Sequence, residues 1–221
     1  MDHFENEIAF ITGGASGAGF GQAQVFGRAG CRIVIADIRP QPVEEALAQL
    51  RADGITVHGI VLDIMDRVAY ARAADEVEQV LGAPPSLLFN TAGVNSFGPV
   101  ENTSYDDFDW IVGVNLGGVI NGMVTFVPRM IASGRPGHIV TTSSLGGLMG
   151  SAFAAPYSAA KAAVINLMES YRQGLEKHNI GVSVLCPANI KSNIAEASKL
   201  RPASFGQSGY VENEDTVASL H

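Results

Sequence analysis

Tyr157 and Lys161 stand four residues apart in the run Tyr157-Ser158-Ala159-Ala160-Lys161. On a helix that spacing places both side chains on one face, about one turn apart. A free phenol has a pKa of about 10 and is a poor acid–base group at neutral pH. A neighbouring ammonium favours the phenolate and draws that value toward the working range. The pair is therefore a candidate proton donor and acceptor, with Tyr157 at the reacting oxygen and Lys161 tuning it. Tyr and Lys often share a helical face without chemistry, so the pair gains its weight from what accompanies it.

A second group of residues suits a phosphate. Thr12-Gly13-Gly14-Ala15-Ser16-Gly17-Ala18-Gly19 follows an apolar run and opens a helical pattern. Glycine lets the chain turn sharply and lets backbone N–H groups approach an anion, while the next helix presents its N-terminus to a pyrophosphate. Gly13, Ser16, Gly17 and Gly19 are the candidate phosphate contacts. Asp37 lies 18 residues past Gly19, at the end of the next apolar run. A carboxylate there accepts hydrogen bonds from a ribose diol and repels a 2′-phosphate, which favours NAD over NADP. Arg39 lies close enough to favour a phosphate instead. Asp63, expected at the end of the third strand, is placed to reach the adenine edge.

Positioning these groups requires alternating elements. Strands are expected at Glu7–Thr12, Arg32–Ala36, Thr56–Leu62, Leu87–Asn90, His138–Thr142 and Val182–Leu185. Helices are expected at Phe20–Ala29, Pro42–Ala52, Arg67–Leu81, Tyr105–Ile131 and Tyr157–His178. Continuous Val/Ile/Leu runs between helices indicate a parallel sheet covered on both faces, and right-handed crossovers build a doubly wound α/β fold. The 221 residues suit one large domain. Residues 1–195 read as the dinucleotide-binding catalytic part and 196–221 as part of a substrate lid within the same domain.

The formal charge is −8, from 14 basic and 22 acidic residues, with no cationic cluster. Nucleic acid and anionic membrane surfaces are poor partners for such a chain. Trp110 to Pro128 carries no charge but contains Asn115, Asn121 and four glycines, so it reads as a buried helix rather than a membrane span. Cys31 and Cys186 are expected as buried free thiols, fitting a reducing, cytoplasmic compartment. Five scattered His and two Cys give no metal-ligand spacing.

Taken together, these motifs resemble the short-chain dehydrogenase/reductase family over residues 6–194. The spacing Thr12-Gly13-x-x-x-Gly17-x-Gly19 is that family's cofactor loop. Asn90-Thr91-Ala92-Gly93 resembles its Asn-Asn-Ala-Gly motif, with Thr91 replacing the second Asn. Asn115 stands where the family keeps a structural and catalytic Asn, and Ser144 precedes Tyr157 by 13 residues, the usual spacing of Ser and Tyr. Pro187-Ala188-Asn189-Ile190-Lys191-Ser192 resembles the Pro-Gly-x-x-x-Thr segment lining the nicotinamide side, with Ala188 and Ser192 as substitutions.

The resemblance implies a Rossmann-like fold, NAD as cofactor (NADP less so), and Asn115, Ser144, Tyr157 and Lys161 as the catalytic set. Asn90, Ala92, Gly93 and Pro187 join the cofactor contacts. Lys161 also holds the nicotinamide ribose, and Asn115 holds a water that relays the proton. Ser143, beside Ser144 on a strand, should point the opposite way. A stretch near Ser144 is similar to some hydroxysteroid dehydrogenases and implies a bulky, apolar secondary alcohol or its ketone, whether aromatic, alicyclic or steroid-like. Val94, Phe97, Leu145, Leu148, Met149 and Phe153 are candidates for pocket wall or core. The alternatives are an epimerase or dehydratase that retains its nucleotide, and a non-catalytic dinucleotide-binding protein. Glycines four apart, Gly113/Gly117 and Gly118/Gly122, are expected to let helices approach closely in a homodimer, doubled to a homotetramer. Family members continue to a seventh strand, so the chain is expected to be truncated.

Overall fold

The computed structural model describes residues 4–188, 190 and 193–210. Six parallel strands form one sheet in the order β3-β2-β1-β4-β5-β6. They are β1 (Ile8–Thr12), β2 (Arg32–Asp37), β3 (Val57–Val61), β4 (Leu87–Asn90), β5 (Gly137–Thr142) and β6 (Ile180–Leu185). The helices between them are α1 (Gly17–Arg28), α2 (Pro40–Ala52), α3 (Arg67–Leu81), α4 (Tyr105–Val112), α5 (Gly118–Ser133) and α6 (Ala155–Leu175). The chain reverses its direction of sheet growth between β1 and β4, and in such sheets the crevice at that switch point takes the ligand.

The apolar strands are buried because helices cover both faces. On one face Phe10 stacks against Phe126 of α5 at 4.6 Å, and Val34, Leu88, Ile139, Val164 and Met168 extend that core. On the other, Ile11, Ile33, Ile35 and Phe89 pack with Ala23 of α1 and Val43, Leu47 and Leu50 of α2. Each fully buried Phe, Leu or Ile contributes roughly 1.5–3 kcal/mol.

The expected Tyr105–Ile131 helix is continuous but not uniform. Between α4 and α5, Gly113–Gly117 forms a π-helical segment, and the Gly118 amide reaches back five residues to the Gly113 carbonyl. Such segments hold an extra residue inside a helix. α5 packs Val119, Met123, Phe126 and Met130 into the core, so this uncharged stretch is a core helix despite its length.

The glycines differ from expectation. A Cβ on Gly118 would meet Ile64, one on Gly113 would meet Met65, and one on Gly122 would meet Asn90 and Tyr70. Close packing at these three is within the chain, against the β3–α3 connection, α3 and β4, whereas a Cβ on Gly117 would meet nothing nearer than 3.9 Å, so only that one of the four stands open to a docking helix. Cys31 is buried, and burial pushes its thiol up to about 11, whereas Cys186 is half-buried because it follows the last residue of β6.

Candidate active site

The functional side chains gather at the carboxyl ends of the strands. β1 ends at Thr12, whose hydroxyl donates to the Phe89 carbonyl and accepts from the amides of Thr91 and Ala92. This one hydroxyl ties the glycine turn to the end of β4. Gly13 has φ +66°, and a Cβ there would lie 2.8 Å from Ala92 Cα. Only glycine satisfies both the left-handed conformation and the close approach.

α1 begins without a side-chain cap among the described residues and without an acid in its first turn. The Oγ of its N-cap residue Ser16 instead accepts from Arg39 Nη2 at 2.8 Å. Uncapped N–H groups at a helix N-terminus, beside a glycine cradle, fit a pyrophosphate.

Asp37 closes β2 and is buried. Its carboxylate accepts from Arg39 Nε at 2.9 Å, from Arg39 Nη2 at 3.0 Å and from the Arg39 amide at 3.2 Å. Arg39 thus bridges the ribose-binding candidate and the glycine loop. β3 ends at Val61, and Asp63 lies exposed two residues beyond its carboxyl end, accepting from the Met65 amide. The Asn90 side chain turns into the core, with Nδ2 on Thr141 Oγ1 and Met123 Sδ, and its backbone closes β4.

Across the cleft, Ser143 and Ser144 diverge as strand alternation requires. Ser143 Oγ donates to the Lys161 carbonyl at 2.8 Å and pins α6 to the end of β5. Ser144 Oγ accepts from the Gly146 amide and faces the Tyr157 oxygen. Lys161 is buried, with Nζ 2.8 Å from the Thr142 carbonyl and 5.6 Å from the Tyr157 ring centroid. A Cβ on Gly93 would stand 2.7 Å from Asn115 Oδ1 and 3.5 Å from Lys161 Nζ, so Gly93 brings these groups to one point. The Pro187 carbonyl accepts from the Leu145 amide and joins the ends of β5 and β6. Asn189, Lys191 and Ser192 lie outside the described residues.

The electrostatics correct one expectation. Tyr157 lies above the ordinary phenol value, because burial raises it more than the Ser144 hydroxyl lowers it. The Lys161 ammonium sits over the ring and is directed at Thr142, not at the phenol oxygen. Burial also pulls Lys161 down to about 8, with partial compensation from Cys186. At neutral pH the lysine is still mainly the ammonium, and its nearest acceptor is the Thr142 carbonyl.

Asn115 lies in the π segment and is buried. Its Oδ1 accepts from the Val94 amide at 3.2 Å, and Nδ2 donates to the carbonyls of Val94 and Ile111, both at 2.8 Å. The side chain is thereby a brace between the helix and the segment after β4. Asn115→Leu leaves the Val94 N–H and C=O without partners, which we expect to destabilise the fold by roughly 2–4 kcal/mol, read as a lower urea midpoint.

Residues 193–210 cover this region. Arg201 Nη1 lies 2.6 Å from Asp107 Oδ1, with side chains 8% and 0% exposed. Asp107 also accepts from Ser104, from the Ser208 hydroxyl and from the Gly209 amide. The Arg201 guanidinium lies 5.5 Å from the Trp110 ring centroid. Trp110, Ile111, Val94 and Ala197 form a small core that contacts Tyr157 and Phe205. Sequence reasoning missed this latch. Ser104-x-x-Asp107 was readable as a helix-capping pair, but nothing local marks Arg201 as its partner.

A parallel sheet of this order, with a glycine cradle at its switch point and a Tyr–Ser–Lys set opposite, defines a nicotinamide-dinucleotide oxidoreductase of the doubly wound α/β class. The chain belongs to the short chain dehydrogenase family, whose model matches residues 7–202. It is 77% identical, over its whole length and 72% of the relative's, to C alpha-dehydrogenase from Sphingobium sp. strain NBRC 103272 / SYK-6. It superposes on the crystal structure of apo LigD from Sphingobium sp. strain SYK-6 with a TM-score of 0.84 and 66% identity, over 98% of this chain and 94% of that one. It also superposes on a short chain dehydrogenase/reductase from Burkholderia phymatum in complex with NAD, with a TM-score of 0.92 and 32% identity, over 100% of this chain and 78% of that one.

Proposed function

We propose that this enzyme interconverts a bulky, apolar secondary alcohol and its ketone, with NAD as the preferred cofactor. The convergence of Tyr157, Ser144 and Lys161 beside the glycine cradle carries this reading. On the segment after Ser144, Leu145, Met149 and Phe153 are exposed; Leu148, also exposed, lines a separate cavity with residues of α6 and β6, and Val94 belongs to the core. Exposed apolar side chains on a segment that follows a polar catalytic set suit an apolar ligand. The relative named C alpha-dehydrogenase and the NAD-bound neighbour are in keeping with it.

The bound nicotinamide accepts or supplies the hydride. The chain does the rest. Backbone amides from the glycine turn and the start of α1 hold the pyrophosphate, and Asp37 holds the adenosine ribose once Arg39 gives way. Ser144 donates to the substrate oxygen as charge develops there. Tyr157 takes a proton from that oxygen in oxidation and returns it in reduction, which in general contributes about 10²–10⁴-fold. Lys161 anchors the nicotinamide ribose and holds a positive charge near the phenol. Following reduced-nicotinamide absorbance across a panel of secondary alcohols tests this reading. Turnover without any net absorbance change would point to an epimerase or dehydratase.

The Asp37–Arg39 pair sets a sharper expectation for the cofactor. Asp37→Ala should lower kcat/KM for NAD at least tenfold and raise it for NADP, because the freed guanidinium can pair with a 2′-phosphate. Arg39→Ala added to that variant should remove the gain for NADP. Steady-state kinetics with both cofactors check it.

Tyr105, Phe108, Ile120 and Val124 leave the α4–α5 face apolar and exposed. We assign a homodimer to that face, tested by light scattering at micromolar concentration.

A further inference from the structure

Of the three residues Thr142-Ser143-Ser144, Ser143 is the one to which the chemistry above gives no part. Thr142 offers its carbonyl to the Lys161 ammonium, and Ser144 faces the Tyr157 oxygen. Ser143, between them, is 1% exposed, and its hydroxyl donates to the main-chain carbonyl of Lys161 at 2.8 Å. Lys161 lies in the interior of α6, where a carbonyl is already served by the amide four residues on. The helix therefore does not need the serine in order to form. What the bond adds is a fixed position for the Lys161 main chain relative to the end of β5. The Ser143 amide is itself held there by the Leu185 carbonyl, at 2.8 Å. Gly147 lies against the same point. A Cβ on it would stand 2.7 Å from the Lys161 carbonyl carbon and 2.8 Å from both the carbonyl oxygen and Ser143 Oγ, so only glycine fits.

A lysine carries its charge on a flexible four-carbon stem, so the place of the ammonium depends on how both ends are held. Here Ser143 holds the main-chain end and the Thr142 carbonyl holds the ammonium. We propose that Ser143 is a positioning residue for the reaction, with Gly147 completing its contact: it fixes the main chain of Lys161, and through it the place of the ammonium beside the Tyr157 phenol. The proposal rests on the reading above, in which Tyr157 moves the proton and Lys161 supplies the charge near it. A displaced ammonium favours the phenolate less, so the proton leaves the phenol only at higher pH. Cys186, just past β6, is another titratable group that bears on Lys161, and Asp107 of α4 is turned to Arg201. Ser143→Ala alters neither side chain.

The test uses the full chain with NAD and a secondary alcohol that the wild-type enzyme oxidises. At neutral pH Ser143→Ala should lower kcat about tenfold and leave KM for alcohol and NAD little changed. The alkaline rise of kcat/KM should move up by about one pH unit, so the deficit narrows as pH rises. Gly147→Ala, which drives a methyl group into the same contact, should give the same displaced profile. The double variant should be no slower than the slower single, because both changes break one contact. A deficit equal at every pH, or a lower melting temperature with the wild-type profile, marks a merely structural serine and overturns the proposal. So do normal kinetics in Ser143→Ala, or losses that multiply in the double variant. Lys161→Ala separates the two layers. If it turns over at the wild-type rate, the role of the lysine falls and the proposal with it; if it is slow while Ser143→Ala is normal, the proposal alone falls.

Discussion

Tyr157→Phe should lower kcat at least 10²-fold for any secondary alcohol the enzyme accepts, while NAD affinity changes less than threefold. The phenol oxygen faces the Ser144 hydroxyl, while the ring itself is held by packing with Trp110 and its neighbours. Losing the oxygen therefore removes a proton carrier and leaves the packing in place. Kinetics of reduced-nicotinamide formation and calorimetric titration of the cofactor separate the two effects. Normal turnover in the variant would remove Tyr157 from its role. Because Tyr157 lies above the ordinary phenol value in the free protein, its ionisation should depend on what else occupies the site. The pH profile of kcat/KM should accordingly rise toward alkaline pH for oxidation.

The second large effect belongs to Asp107. Breaking a buried pair by removing one partner costs about 3–5 kcal/mol, because the other charge stays buried and uncompensated. Asp107→Asn should release residues 193–210 locally, accelerating thermolysin cleavage there at least tenfold and raising KM more than it lowers kcat. The pH dependence has a defined sign. Burial pushes the Asp107 acid up, but hydrogen bonds from Ser104, Ser208 and Gly209 outweigh it and hold the group at about 2, against an ordinary 3.8. A depressed acid stabilises the folded arrangement fully above about pH 4 and ceases to do so as pH falls through 2. Trp110 is the single tryptophan in the chain and lies against Arg201, so its emission reports the latch directly. Wild-type emission should shift as pH falls from 4 to 2. Asp107→Asn should show the shifted spectrum at neutral pH and no acid transition.

The sheet was legible because each strand is a short unbroken apolar run, and a strand buried on both faces needs no other mark. Strand and helix ends fell within a few residues of those expected, and Thr12, Asp37 and Asn90 do close their strands. Side-chain direction was harder to read. Asn90 sits at the right strand end but turns into the core, because β4 is flanked by β1 and β5 and covered by α5. The glycine pairs of the long helix looked like a helix-docking stripe, since sequence spacing cannot say which neighbour fills the gap; Ile64, Met65 and Asn90 do so from within the chain. Spacing placed Lys161 beside Tyr157 correctly, yet it could not show that burial moves both away from their ordinary values, or that Thr142 takes the ammonium's hydrogen bond. The Asp107–Arg201 pair joins residues 94 positions apart and leaves no periodic trace.

The π-helical turn at Gly113–Gly117 works as a spare link. At 3.6 residues per turn, one residue corresponds to about 100° of rotation, and the wide turn absorbs it, so the residues on either side keep the faces a regular helix would give them. Deleting Val114 should therefore let the helix run straight with Val119, Met123, Phe126 and Met130 still on the sheet, while the bulge that sets Asn115 against Val94 is lost. A single-codon loss here should cost activity more than it costs the fold, whereas the same loss inside α5 would turn that apolar face away from the sheet.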